Sequence, residues 1–268
     1  MINRICISIN NRCNLGCRYC HFHEKGIVED TYMNVFAILD NVKNYAKGNF
    51  KIGFVGNGEC FLDWPKLKSY IEYLEGYDNI STYTITNGTV ELPDEDWKFL
   101  ENHNVNVGFS IDGYRELHNM NRCGSFDKAI KNFEEYKRIT GHYPTFNATV
   151  GEESLKNADK VISFFKPYGT RVTFSRMIGK YGISLQEYRD FLERAEKEIP
   201  VRRGGLDCTM YGGNCGAGIN NFLFSNGKVY FCGNCIDLPS VGSSDISFFE
   251  LENISLLFDR KNCYKESI

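Results

Sequence analysis

Cys13, Cys17 and Cys20 fall within the eight-residue stretch CNLGCRYC. Spacings of three and two residues let three thiolates converge from one loop onto one metal centre. Two chemistries suit such a set. Zinc wants four ligands, and His21 or His23 would complete a Cys3His site. Three thiolates on a cubane 4Fe–4S cluster instead leave one iron open, and an open position is where a substrate or cofactor binds. A second group, Cys208, Cys215, Cys232, Cys235 and Cys263, lies near the carboxyl end, and only Cys6, Cys60 and Cys123 are scattered. The opening MINRICISINNRC lacks the apolar core and cleavage site of a signal peptide, so a cytoplasmic, reducing setting is expected. Eleven cysteines are many for such a compartment, where disulfides rarely persist, and they point to metal at more than one site.

The elements that must hold these residues alternate. INRICISI, KIGFVG, ISTYTIT, VNVGFSI, TFNATV and TRVTFSR read as strands, with amphipathic helical stretches between them. Residues 30–47 read as a helix with Met33, Phe36, Leu39 and Val42 on one face, Asp30 as cap and Gly48 as stop. SLKNADKVISFF reads as one helix ending near Pro167, Ser125 as an N-cap, and Ser184 with Glu187 as a capping box. Six strand–helix units imply a parallel α/β sheet with ligands beyond the carboxyl ends of its strands. CNLGCRYC, GNGEC, TNG and SIDGYRELHNMNR all fall there. After Pro200 the chain turns rich in glycine and cysteine, with a hairpin expected around Asn226-Gly227 and a closing helix in DISFFELENISLLFDRKNC.

On these residues the chain resembles the radical S-adenosylmethionine (SAM) enzymes. Cys13-x3-Cys17-x2-Cys20 after the first strand matches their signature, and Tyr19 fits the aromatic residue usual before the last cysteine. The resemblance implies a partial (β/α)6 TIM-like barrel over 1–182, a bridging helix over 183–202 and an auxiliary iron–sulfur domain over 203–268. It implies SAM chelating the open iron of a 4Fe–4S cluster. Gly56, Gly58 and Glu59 resemble the glycine-rich segment that meets the methionyl ammonium; Cys60 stands where the family often has proline. Asn87 and Gly88 match the third-strand motif beside the cofactor. Ser110 and Arg122 match candidates for its ribose and carboxylate, an arginine being suited to bidentate pairing. Where the family often has His-Asp, this chain has His118-Asn119, which removes a possible base. Asp112 and Gly113 read equally well as turn formers.

Cys215 and Cys232 flank the expected hairpin and resemble the opening of the domains called SPASM and, in shortened form, twitch. Five thiols do not suffice for two auxiliary clusters, so one 4Fe–4S cluster in a twitch-like domain is expected. Cys208, Cys235 and Cys263 compete for its remaining positions, and a zinc ribbon-like knot accepts the same thiolates. Cys6 reads as core filler. Cys60 and Cys123 sit beside cofactor motifs and are candidate hydrogen-atom donors; His118 is a candidate neighbour of the substrate.

The resemblance implies reductive cleavage of SAM to a 5′-deoxyadenosyl radical that abstracts hydrogen from a substrate. The electrons would come from an external donor such as flavodoxin or ferredoxin. The preferred substrate is a peptide that is crosslinked, oxidised or epimerised, as in ribosomally made peptide maturation. A twitch-type dehydrogenase of a sugar or aminocyclitol alcohol is the alternative, and a non-catalytic iron–sulfur electron carrier is a third. With the first strand starting at residue 2, no amino-terminal leader-binding domain is expected, and a separate protein could deliver a peptide. The formal charge of −3 and the lack of a long apolar run argue against nucleic-acid and membrane partners.

Overall fold

The computed structural model describes residues 1–20, 22, 31–202, 216–233 and 239–256. Six parallel strands carry the architecture: β1 (Arg4–Ile7), β2 (Phe50–Phe54), β3 (Ile80–Thr86), β4 (Asn106–Ser110), β5 (Thr145–Val150) and β6 (Val172–Arg176). They lie in chain order, and β7 (Val201–Arg202) adds to β6 in parallel. On the other side β8 (Asn221–Ser225) pairs in parallel with β1. Two antiparallel strands, β9 (Lys228–Tyr230) and β10 (Gly242–Ser243), complete a ten-stranded sheet. This is the mixed α/β, partial-barrel architecture expected from the alternating pattern. The hairpin turns at Asn226 and Gly227, both with positive φ, as a two-residue turn between twisted strands requires.

Among the described residues the α-helices are α1 (Val35–Tyr45), α2 (Trp64–Tyr73), α3 (Asp94–Asn102), α4 (Arg115–Asn121), α5 (Phe126–Thr140), α6 (Glu152–Lys156), α7 (Ala158–Phe165), α8 (Leu185–Ala195) and α9 (Phe248–Leu256). In α5, Phe126, Ala129, Phe133 and Tyr136 recur at helical spacing and are buried, and Gly141 ends the helix in the left-handed region. Phe133 stacks on Phe146 of β5 with ring centroids 4.2 Å apart. The capping box of Ser184 and Glu187 opens α8, as expected. Among the described residues no helix is long and apolar enough to cross a membrane.

Four local expectations change. Helix α1 is capped by Asn34, whose side chain accepts from Ala37 N; Asp30 lies outside the described residues. Its buried face is Val35, Ile38, Leu39 and Val42, while Phe36 is exposed. SLKNADKVISFF is two helices, because Asn157 leaves helical geometry and its Nδ2 donates to the carbonyl of Glu153. Ser125 precedes α5 without capping it, because its hydroxyl is taken by His118.

The two faces of the sheet differ in chemistry. Ile5, Ile52, Phe54, Phe109, Phe146 and Phe174 pack under the helices and are fully buried. The alternate residues face the other way: Cys6, Gly53, Tyr83, Gly108, Ser110, Asn147, Thr149, Thr173 and Ser175. Most of these are small or polar, and several are half-buried or exposed. The apolar core therefore lies between sheet and helices, which leaves the inner face open to a ligand. Cys6, expected as core filler, packs on that inner face against a small apolar cluster of Phe22, Leu223 and Tyr230, with its sulfur 3.3 Å from the Tyr83 hydroxyl.

The hairpin forms where expected and joins the barrel sheet. An unpaired β1 would present a free edge of N–H and C=O groups, and β8 covers it. The described part of the carboxyl region is thus continuous with the barrel sheet. Helix α9 packs on α1, where Tyr45 stacks on Phe248 and donates its hydroxyl to Glu252 at 2.6 Å.

Candidate active site

The loop after β1 brings the first cysteines to the carboxyl end of the sheet. Asn10 is its anchor: Oδ1 accepts from Arg12 N at 3.0 Å, and Nδ2 donates to the Glu59 carbonyl at 3.2 Å. Glu59 N returns a bond to the Arg12 carbonyl at 2.7 Å, and Arg12 forms an ion pair with Asp63. The loops after β1 and β2 approach so closely that a Cβ on Gly56 would lie 2.3 Å from Ser8 Cβ. One on Gly58 would lie 2.2 Å from Asn10 Oδ1. The glycines are therefore demanded by this loop-to-loop contact as well as by any ligand.

Glu59 is expected at the cofactor, but its carboxylate points inward and is 2% exposed. Oε2 accepts from Asn87 N at 2.6 Å; Oε1 accepts from the Thr86 hydroxyl at 2.8 Å and Phe61 N at 3.1 Å. Burial raises its pKa, and these donors pull against that rise. Asn87, so positioned, donates to Asn14 Oδ1 at 2.9 Å, and its Nδ2 lies 3.8 Å from Cys13 Sγ. Gly88 follows with its N–H on the Thr86 hydroxyl.

Cys13, Cys17 and Cys20 are each half-buried on this one loop. Burial raises the Cys13 thiol and pushes Cys17 up to about 12; the Arg122 charge opposes the rise, and Asp112, Cys20 and Cys13 add to it. A bare thiolate is costly there unless a cation pairs with it, which suits a metal cluster. Among the described residues no three His, Cys, Asp or Glu side chains are already gathered around a point for a single ion.

Asp112 is the residue sequence reasoning weighed too lightly. It is 1% exposed, at the end of β4. Its Oδ2 accepts from the Tyr19 hydroxyl at 2.9 Å and Asn121 Nδ2 at 3.1 Å, and its Oδ1 accepts from Thr149 N at 3.0 Å. Arg122 Nε stands 3.1 Å from the same Oδ2 as an ion pair, and its guanidinium lies 5.4 Å from the Tyr19 ring centroid. Arg122, expected at the cofactor's carboxylate, is thus already committed in part to Asp112. The one signal in the sequence was an aspartate placed just after a strand, which a turn former explains equally well.

The remaining candidates separate. Ser110 ends β4 on the inner face, half-buried beside Asn147. Cys60 is buried in the helix-side core with its sulfur 3.0 Å from the Thr84 hydroxyl, although it also borders a small cavity beside Ser8 and Gly56. That burial sets it poorly for meeting a substrate. Cys123 is exposed at positive φ and donates to the Gly16 carbonyl, inside the cysteine loop, at 2.9 Å. His118 is fully buried between Asp112 N and the Ser125 hydroxyl. Cys232 is half-buried just beyond β9. Cys208, Cys215, Cys235 and Cys263, with His21 and His23, lie outside the described residues.

Several known proteins are similar to this chain in sequence or fold. A cysteine-type anaerobic sulfatase-maturating enzyme of Clostridium perfringens is 27% identical over 267 residues, spanning 82% of this chain and 71% of that one. Its counterpart in Clostridium novyi is 27% identical over 214 residues, spanning 69% and 56%. Two solved structures share the fold. Native anSMEcpe with bound AdoMet has a TM-score of 0.76 at 23% identity, over 97% of this chain and 86% of that one. Streptococcus suis SuiB bound to precursor peptide SuiA has a TM-score of 0.73 at 14% identity, over 94% and 64%. The sequence pattern of the radical SAM superfamily runs through residues 7–195, from the end of β1 to the end of α8. With more than half of its length covered, the chain belongs to the radical SAM superfamily and is an enzyme of it.

Proposed function

We propose that this enzyme modifies a peptide or protein side chain at the carboxyl mouth of the barrel. The observation that carries the reading is the alignment with sulfatase-maturating enzymes, which covers most of this chain. The likeness of fold to SuiB, solved with its precursor peptide, supports it. The carrier alternative falls away with membership of an enzyme superfamily. No observation favours the sugar or aminocyclitol alternative.

Cys13, Cys17 and Cys20 would hold a 4Fe–4S cluster, and SAM would lie against Gly56, Gly58, Asn87, Gly88, Ser110 and Arg122. When bound, the pair supplies reductive cleavage of the sulfonium and removal of a hydrogen atom from substrate. Tyr19, Asn87 and Arg122 would fix the cluster loop, while Glu59 and Asp112 hold those three in turn. The half-open inner face, lined by Ser110, Asn147, Thr149 and Ser175, would receive the side chain being modified. Cys232, with partners among Cys208, Cys215, Cys235 and Cys263, would hold one auxiliary cluster. A flavodoxin or ferredoxin would supply electrons.

Cys123 remains a candidate hydrogen-atom donor. Cys123→Ser keeps a donor for the Gly16 carbonyl but lacks the weak S–H bond. Loss of product with SAM cleavage intact would support the role, and normal product would remove it.

The test of substrate class is anaerobic reconstitution with SAM, dithionite and a peptide encoded beside the gene. A SAM-dependent change in peptide mass is expected. An unmodified peptide, together with turnover of a sugar or aminocyclitol alcohol, would overturn the reading.

A further inference from the structure

We propose that Asn57 and Asn11 form a strut through which the carboxyl-terminal hairpin sets the affinity of the glycine loop for SAM. This rests on the reading that Gly56 to Glu59 lie against that cofactor.

Asn57 sits between Gly56 and Gly58, neither of which has a side chain to pin the loop. Asn57 supplies the pins. Its backbone N–H donates to the Ser8 hydroxyl at 3.0 Å. Its Nδ2 donates to the Ser225 hydroxyl at 2.8 Å and faces Asn11 Oδ1 at 3.4 Å. Asn11 Nδ2 in turn donates to Asn226 Oδ1 at 2.5 Å. Ser225 ends β8 and is 1% exposed, and Asn226 is the first residue of the hairpin turn, at φ 53°. The Phe224 carbonyl adds a backbone bond from Ser8 N at 2.9 Å.

Three segments far apart in the chain therefore meet: the loop that leads into the cysteines, the glycine loop, and the hairpin turn. Amide groups have fixed donors and acceptors, so this network tolerates little relative movement. A hairpin displaced from β1 would release Asn57 and free the glycine loop to fluctuate. Ordering it again would then be charged against SAM binding. The hairpin that leads to Cys232 thereby reports its position to the amino-terminal site.

The test uses the full chain, reconstituted anaerobically, with SAM as the probe. The dissociation constant is read from the change that SAM makes in the electron paramagnetic resonance spectrum of the reduced cluster; iron content and melting temperature are measured alongside. Ser225→Ala and Asn226→Gly each change only the hairpin, and glycine accepts the turn's positive φ. Each is expected to weaken SAM binding about three- to tenfold, the range of one lost hydrogen bond, with iron content kept. Ser225→Ala combined with Asn57→Ala is expected to bind no more weakly than Asn57→Ala alone, because both remove one contact. Ser225→Thr restores the hydroxyl and is expected to bind like the parent.

Parental affinity in both hairpin variants, additive effects in the double variant, or no rescue by threonine would each overturn the strut. Gly56→Ala separates the two readings. If it weakens SAM binding while the hairpin variants do not, only the strut fails. If it also leaves SAM binding unchanged, the glycine loop is not the cofactor site and both readings fall.

Discussion

Glu59 Oε2 accepts the backbone N–H of Asn87 at 2.6 Å, joining the loop after β2 to the loop after β3. The contact lets Glu59 hold Asn87 in place, whether or not its carboxylate also meets a cofactor. Glu59→Gln puts a donor where three donors converge, and is expected to cost about 1–3 kcal/mol of stability and to weaken SAM binding as well. Denaturant unfolding and SAM titration check both. Weakened SAM binding with unchanged stability would instead make Glu59 a direct ligand.

Asp112 and Arg122 are a buried pair, and removing one partner strands the other. Asp112→Asn is expected to destabilise the fold by about 3 kcal/mol. Adding Arg122→Met to that variant is expected to recover part of the loss, because no unpaired charge then remains. Additive losses in a double-mutant cycle would show that the two side chains do not interact.

The two cysteine groups predict different losses. Cys17→Ala is expected to abolish SAM cleavage, measured as 5′-deoxyadenosine; retained cleavage would refute the amino-terminal site. Cys232→Ala is expected to remove the iron of one cluster while sparing cleavage at least in part. Unchanged iron content would refute an auxiliary cluster at Cys232.

His118 predicts acid sensitivity. Burial lowers its pKa from 6.5 to about 4; the Asp112 charge opposes the shift and that of Arg122 assists it. Between those values the unfolded chain holds a proton on this side chain and the folded chain does not. Stability from this group is therefore present above pH 6.5 and is lost as pH falls towards 4. Melting temperature followed across that window should fall, and His118→Gln should flatten the curve. An equal slope in the variant would assign the acid sensitivity to other groups.

Much of the fold could be read from local pattern. Strands β3 and β5 match their expected spans residue for residue, because β-branched and aromatic residues crowd both stretches. The Asn226-Gly227 turn and the Ser184 box were equally legible, since each depends on neighbours in the chain. Asn157 was not: an asparagine inside an amphipathic run breaks the helix only if its side chain captures a carbonyl, and spacing does not reveal that. Pairing of β8 with β1 was hidden for a related reason. A strand's own residues say that it must pair, and they do not name the edge it takes.

The sequence by itself determined the family, the strand–helix alternation and the thiol triplet on the loop after β1, because each is written in residue types at short spacing. Only the tertiary structure decided which groups Glu59, Asp112 and Asn57 contact. A buried polar side chain must satisfy its donors and acceptors wherever the fold brings partners within reach, and here those partners lie on other loops, far along the chain.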